Sequence, residues 1–240
     1  MIQQTKGRIF LADQRGVQET AGYQGRYTFN FGRYFNEHKH AFGDVYLLND
    51  DILAGGGTLK MPAKETSYIV LIPVAGAINC IHTAGHHSLV AAGQVLLMTA
   101  GQGDAITVSN PFSDHPINCL QIWIRAGKTR EMRAALLYTY PDVNEHLNGM
   151  VALTGGNRTA LQTAFTISLG KFSGRGETVY LPKNNNAGIF IFIIEGAFEV
   201  EGRLLHARDG LALWDTGAVE MEALSNDAII MTIELSGVMA

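Results

Sequence analysis

The feature that most constrains this chain is a spacing. A strand-like apolar run, Ser67-Tyr68-Ile69-Val70-Leu71-Ile72, is followed by Gly76-Ala77-Ile78. A second run, Ile189-Phe190-Ile191-Phe192-Ile193-Ile194, is followed by Gly196-Ala197-Phe198. After each come a short hairpin, a turn holding Gly (Ala92-Gly93 and Asp209-Gly210) and another strand. Gly76 and Gly196 lie about 120 residues apart, half of a 240-residue chain. That is the period expected of a duplicated domain.

The repeat is built from strands. Ala77 to His82 alternates with a period near two, and Thr83-Ala84-Gly85-His86-His87 reads as a hairpin turn. Gln94 to Met98, Ala105 to Val108, Ile117 to Ile124, Phe198 to Glu201, Leu211 to Trp214 and Ala228 to Leu235 continue the pattern. The 27 glycines supply the tight turns between them. Short strands with glycine-rich turns favour antiparallel barrels, so two small β-barrels in tandem are expected. One segment of good helix formers, Lys128 to Leu137, predicts a short helix linking the halves, stopped before Pro141.

Several classes of function are excluded early. A net charge of -4 gives no electrostatic footprint for nucleic acid or an anionic membrane. The short cluster Arg125, Lys128, Arg130 and Arg133 reads as a solvated face. No apolar run is long enough to span a bilayer, and Met1 to Arg8 is too polar for a signal peptide, so a cytoplasmic location is expected. Cys80 and Cys119 sit in apolar stretches and read as buried free thiols. There is no P-loop, no dinucleotide fingerprint and no Gly-x-Ser-x-Gly elbow.

The histidines do not form an evident metal site. His38-Lys39-His40 lies in a wholly polar stretch. His86 and His87 are adjacent at a hairpin tip, so on a strand they would face opposite ways. His82 stands two residues from Cys80 with no further ligand in sight, and His115, His146 and His206 are isolated.

Four segments in order carry a resemblance. They are Thr28-Phe29-Asn30-Phe31-Gly32-Arg33-Tyr34-Phe35, Leu48-Asn49-Asp50-Asp51, Met98-Thr99-Ala100-Gly101-Gln102-Gly103 and Leu120-Gln121-Ile122-Trp123-Ile124. They resemble the pirin family of double-cupin proteins, whose members show an aromatic segment, an N-D-D turn, an M-S/T-A-G-x-G segment and a Q-I/L-W-I strand. The second half is similar to that family's C-terminal cupin through Gly196, Asp209 to Asp215 and the closing strand. The resemblance implies an all-β fold of two tandem cupin (jelly-roll) barrels. The expected parts are an N-terminal cupin over 1–127, a linker with a short helix over 128–155 and a C-terminal cupin over 156–240.

Metal-bearing pirins hold iron or another transition metal in the N-terminal barrel with three His and one Glu, in an H-P-H and an H-S-E pattern. Ungapped counting from Asn49-Asp50-Asp51 puts the first two ligands at Pro62 and Lys64. Counting from Met98-Thr99-Ala100-Gly101 puts the others at Ile106 and Val108. Pro, Ile and Val offer no side-chain donor, and Lys offers one only when deprotonated. No metal, cofactor or catalytic residue is therefore expected, and the degenerate pocket at Pro62, Lys64, Ile106 and Val108 becomes a candidate ligand site. Lys64 across from apolar Ile106 and Val108 would suit a small anionic, partly apolar ligand, whereas a lysine turned to solvent, as an unpaired one usually is, would let the pocket close around the aliphatic side chains.

The expected function is that of a binding or regulatory protein acting on a small ligand or a protein partner, by analogy with the family's links to co-regulation and metabolic enzymes. The rivals are a quercetin 2,3-dioxygenase with relocated ligands, a metal-free cupin enzyme such as an isomerase, and an oligomeric scaffold. Fold alone does not choose among them.

Overall fold

The computed structural model describes residues 5–127, 135–154, 163–183 and 187–236. Contacts divide the chain into two compact units, residues 15–139 and residues 140–240 with 1–14. All paired strands are antiparallel. No helix among the described residues is long and apolar enough to cross a membrane.

The chain opens with β1 (Gly7–Phe10) and a 3-10 turn over Ala12–Gln14. The unit of residues 15–139 follows. Its strands are β2 (Gly16–Thr20), β3 (Tyr23–Tyr27), β4 (Val45–Leu53), β5 (Thr58–Pro62), β6 (Ser67–Ala75) and β7 (Ala77–His82). They continue with β8 (His87–Ala91), β9 (Gln94–Ala100), β10 (Ala105–Ser109), β11 (Ile117–Arg125) and β12 (Ala135–Thr139). They form a seven-stranded sheet, β12-β9-β6-β11-β4-β3-β2, and a four-stranded sheet, β5-β10-β7-β8.

The other unit repeats the plan. Its strands are β13 (Gly149–Ala152), β14 (Phe165–Phe172), β15 (Glu177–Tyr180), β16 (Gly188–Glu195) and β17 (Ala197–Val200). They end with β18 (Arg203–His206), β19 (Gly210–Leu213), β20 (Val219–Ala223) and β21 (Ala228–Leu235). The sheets are β1-β19-β16-β21-β14-β13 and β15-β20-β17-β18.

Each unit has its own apolar core. In the first, Ile69, Leu71, Ile78, Cys80, Leu96, Met98, Ile106, Val108, Cys119 and Trp123 pack together. In the second, Ile189, Ile191, Ile193, Phe198, Leu211, Leu213 and Ile230 do so. Alternation decides who enters. On β7, Ile78, Cys80 and His82 are buried, whereas Ile81 is exposed.

The duplicated turns are geometrically alike. Gly76 has φ 77° between β6 and β7, and Gly196 has φ 76° between β16 and β17. Only glycine adopts that conformation without strain. The second glycine match is different in kind. Gly93 has φ 86°, but Gly210 has no positive φ, and the left-handed residue of its turn is Arg208 at φ 71°. A Cβ on Gly210 would come within 2.8 Å of the Phe190 ring, so this glycine makes room rather than a turn.

Three expectations need correction. The segment Lys128 to Leu137 is not the helix its composition predicts where it can be seen. Residues 128–134 lie outside the described residues, and Ala135, Leu136 and Leu137 are in β12, paired with Met98, Leu97 and Leu96. Pairing with an open sheet edge outweighs the small propensities of a short helix. Strands β12 and β13 also fall within the stretch read as a linker, and β1 pairs with β19, which joins the first 14 residues to the second unit. Finally, Asn49-Asp50-Asp51 is no turn: it lies in the middle of β4.

Candidate functional site

The ungapped count puts two of its four residues inside the first barrel and two outside. Ile106 and Val108 are fully buried in the core. Pro62 and Lys64 are exposed. The β5–β10 register explains the split, because Ile106 faces Met61 and Val108 faces Leu59. Met61 is buried and Leu59 packs against the same core. The inward set is therefore Leu59, Met61, Ile106 and Val108, one residue out of phase with the count on β5. A slip of one residue turns a strand's side chains to the other face.

That inward set does not fit a transition metal. Three aliphatic side chains and one thioether offer no imidazole and no carboxylate, the donors that a non-haem iron or nickel site needs. Neighbouring groups do not replace them. His82 faces Ile106 across the sheet, is buried, and its Nδ1 accepts the Ala84 N–H at 2.9 Å. Cys80 and Cys119 are free and buried, as expected. Burial pushes the Cys80 thiol up to about 12, and burial followed by the Asp51 charge raises Cys119, so both stay protonated at neutral pH. His38, His40 and His87 are exposed. No three His, Cys, Asp or Glu side chains converge as a metal site among the described residues.

Pro62 and Lys64 instead border a cleft of about 340 Å³ in the same unit. Phe31, Tyr34, Phe35, Tyr46 and Trp123 give it aromatic walls, and Leu47 and Met61 add apolar surface. Arg33, Lys64 and Glu65 are its charged residues. Tyr46 and Trp123 meet edge to face at 6.4 Å, and Tyr46 Oη is 2.7 Å from Ser67 Oγ. Arg125 lies 5.0 Å over the Tyr46 ring, and its Nε donates to both Glu65 oxygens at 3.2 Å. Trp123 is buried, and its indole Nε1 has no hydrogen-bond partner. Such a cleft can bind a small ligand.

Sequence reasoning missed a buried polar network in the same barrel. Asp51 is 1% exposed and accepts hydrogen bonds from Tyr23 Oη at 2.6 Å and Gln121 Nε2 at 2.7 Å. Tyr23 Oη is also 3.3 Å from Tyr27 Oη. Burial, then the Asp50 charge, raises the Asp51 carboxyl to about 7, although the bonds from Tyr23 and Gln121 oppose the shift. Asp50 is bonded by Asn118 Nδ2 at 2.6 Å and by Arg15 at 3.4 Å. Across the register from Gln121 stands Asn49, whose side-chain oxygen and nitrogen both lack partners, as does Gln121 Oε1. The visible signal was two successive acids inside an otherwise apolar run.

The second unit carries a groove of about 520 Å³ with Glu177, Glu199, Glu201, Glu220 and Glu222. Arg175 pairs with Glu222 at 2.7 Å, and Glu201 accepts the Glu220 N–H at 2.8 Å. Two of its carboxylates are thus already engaged.

Two family profiles match this chain: Pirin over residues 11–124 and the quercetinase C-terminal cupin domain over residues 154–235. The chain belongs to the pirin family. The Escherichia coli quercetin 2,3-dioxygenase is 23% identical over 92% of this pirin and 95% of its own length. The E. coli pirin-like protein YhaK is 28% identical over about half of each chain, 50% and 52%. Among solved structures, E. coli YhhW superposes with a TM-score of 0.87 at 20% identity, covering 98% of this pirin and 100% of that chain. A second YhhW structure, in complex with nickel(II), superposes at 0.85 with 21% identity, covering 97% and 100%. At these identities the structures establish the bicupin fold.

Proposed function

We propose that this pirin works as a binding or regulatory protein, taking up a small ligand in the cleft of its residue 15–139 unit rather than performing metal-dependent dioxygenation. One observation carries the reading: the barrel wall that would have to supply metal ligands consists of Leu59, Met61, Ile106 and Val108. The cleft beside it is lined by aromatic side chains, with Tyr46 and Trp123 packed edge to face, which supports binding without the metal. Protein partners that sense the loaded state fit the same reading, because a ligand that binds one state of a protein shifts its population. A cytoplasmic location agrees with the buried reduced thiols.

The dioxygenase reading is favoured by the names of relatives such as the E. coli quercetin 2,3-dioxygenase. Metal analysis of the purified protein, paired with a flavonol turnover assay, separates the two. The binding reading expects substoichiometric iron, nickel and copper and no turnover after metal loading. Stoichiometric metal with turnover overturns it. Turnover without metal points instead to a metal-free cupin enzyme.

A further inference from the structure

We infer that the cleft beside Trp123 takes a planar aromatic carboxylate. The inference rests on the ligand-binding reading above and adds the chemical class of the ligand.

The charge balance at the cleft comes first. It has one acid and two bases among its lining residues: Glu65, Arg33 and Lys64. Glu65 is already held by Arg125 through both oxygens. Arg33 and Lys64 are exposed and form no hydrogen bond or ion pair with the described residues. Two cations are thus unspent at one opening, while the local carboxylate is neutralised by a residue outside the lining. An anion is the complementary charge. A guanidinium matches a carboxylate's two oxygens in one plane, and a lysine adds a second point charge.

The walls set the rest of the ligand. Phe31, Tyr34, Phe35 and Tyr46 present partly exposed rings, and Trp123, Met61 and Leu47 are buried apolar neighbours. A flat ring buries apolar area against such walls at little entropic cost. The volume of about 340 Å³ lies at the small end of ligand pockets, which suits one fused or substituted ring. A neutral polyphenol would fill the ring site but leave Arg33 and Lys64 unmatched. A sugar phosphate would meet the charge but set polar hydroxyls against aromatic walls.

The test uses the intact protein, with 2-naphthoate and its uncharged counterpart 2-naphthamide as calorimetric probes. Naphthoate is expected to bind about tenfold or more tightly than naphthamide in low salt. Arg33→Gln with Lys64→Gln is expected to abolish that preference by weakening naphthoate binding about tenfold, with the unfolding midpoint unchanged. Both residues are exposed, so the double variant is expected to fold. Equal affinity for acid and amide overturns the proposal. So does an acid preference that survives the double variant, and so does an absence of binding by either probe. A tighter, Arg33- and Lys64-independent binding of quercetin overturns the carboxylate class while leaving the cleft a binding site. Metal loading with turnover overturns the underlying reading instead.

Discussion

Replacing Asp51 by Asn should remove a pH dependence from this protein's stability. In the fold, Asp51 is 1% exposed and its carboxyl is raised from 3.8 to about 7. A folded-state pKa above the unfolded one means that the folded chain holds the proton more tightly. That contribution is fully present below about pH 4, where both states are protonated. It declines as the pH climbs toward 7, because the unfolded chain ionises first, and is gone above about pH 7. At about 1.4 kcal/mol per tenfold in proton affinity, the loss across that window is about 4 kcal/mol. Asn is nearly isosteric with the protonated acid and does not titrate. Its amide can donate to Gln121 Oε1, which lacks a partner, once the Gln121 amide turns, and its oxygen can still accept from Tyr23. The assay is urea denaturation of both proteins across pH 4.5 to 8, compared as a difference so that other carboxylates cancel. The natural chain should lose ground to Asp51→Asn by a few kcal/mol as the pH rises. A difference that stays flat, or grows in favour of the natural chain, refutes the reasoning.

Other outcomes follow from particular contacts. A Cβ on Gly25 would overlap Tyr23 Oη and stand 2.8 Å from Tyr27 Cε1, so Gly25→Ala should pry Tyr23 from Asp51. The cost should be about 1–3 kcal/mol in a denaturant titration. Ile106→Ala removes a fully buried side chain and should cost about 2–5 kcal/mol while leaving metal content unchanged by elemental analysis. Gly196→Ala collides with Ser225 Oγ at φ 76° and should lower the thermal midpoint, whereas Gly22→Ala, with open space around it, should not. Cys80 and Cys119 should resist iodoacetamide in the folded protein and react at once after unfolding, read by mass spectrometry.

Much of the fold was legible because strands announce themselves by local chemistry. Ala77 to His82 and Ala228 to Leu235 have the same bounds in the sequence pattern and in the structure. The Gly76 and Gly196 turns were legible because their φ angles near 77° demand glycine. The site was less so. Counting reached Ile106 and Val108 but missed Leu59 and Met61, because strand phase depends on which residue of β10 each residue of β5 faces. Asp51 was visible only as a motif residue, since nothing local says that β4 turns it inward beside Tyr23 and Gln121.

The sequence by itself determined the duplicated all-β plan and the burial of both thiols. These follow from composition and period, which act over a few residues at a time. Tertiary structure alone decided the strand order, the conversion of Ala135–Thr139 to an edge strand, the inward set at the barrel wall and the gathering of Arg33, Lys64, Tyr46 and Trp123 around one cleft. Those residues are separated by up to 90 positions along the chain. Their meeting depends on pairing between distant strands, and that pairing is set by the packing of the whole barrel rather than by any segment's own preference.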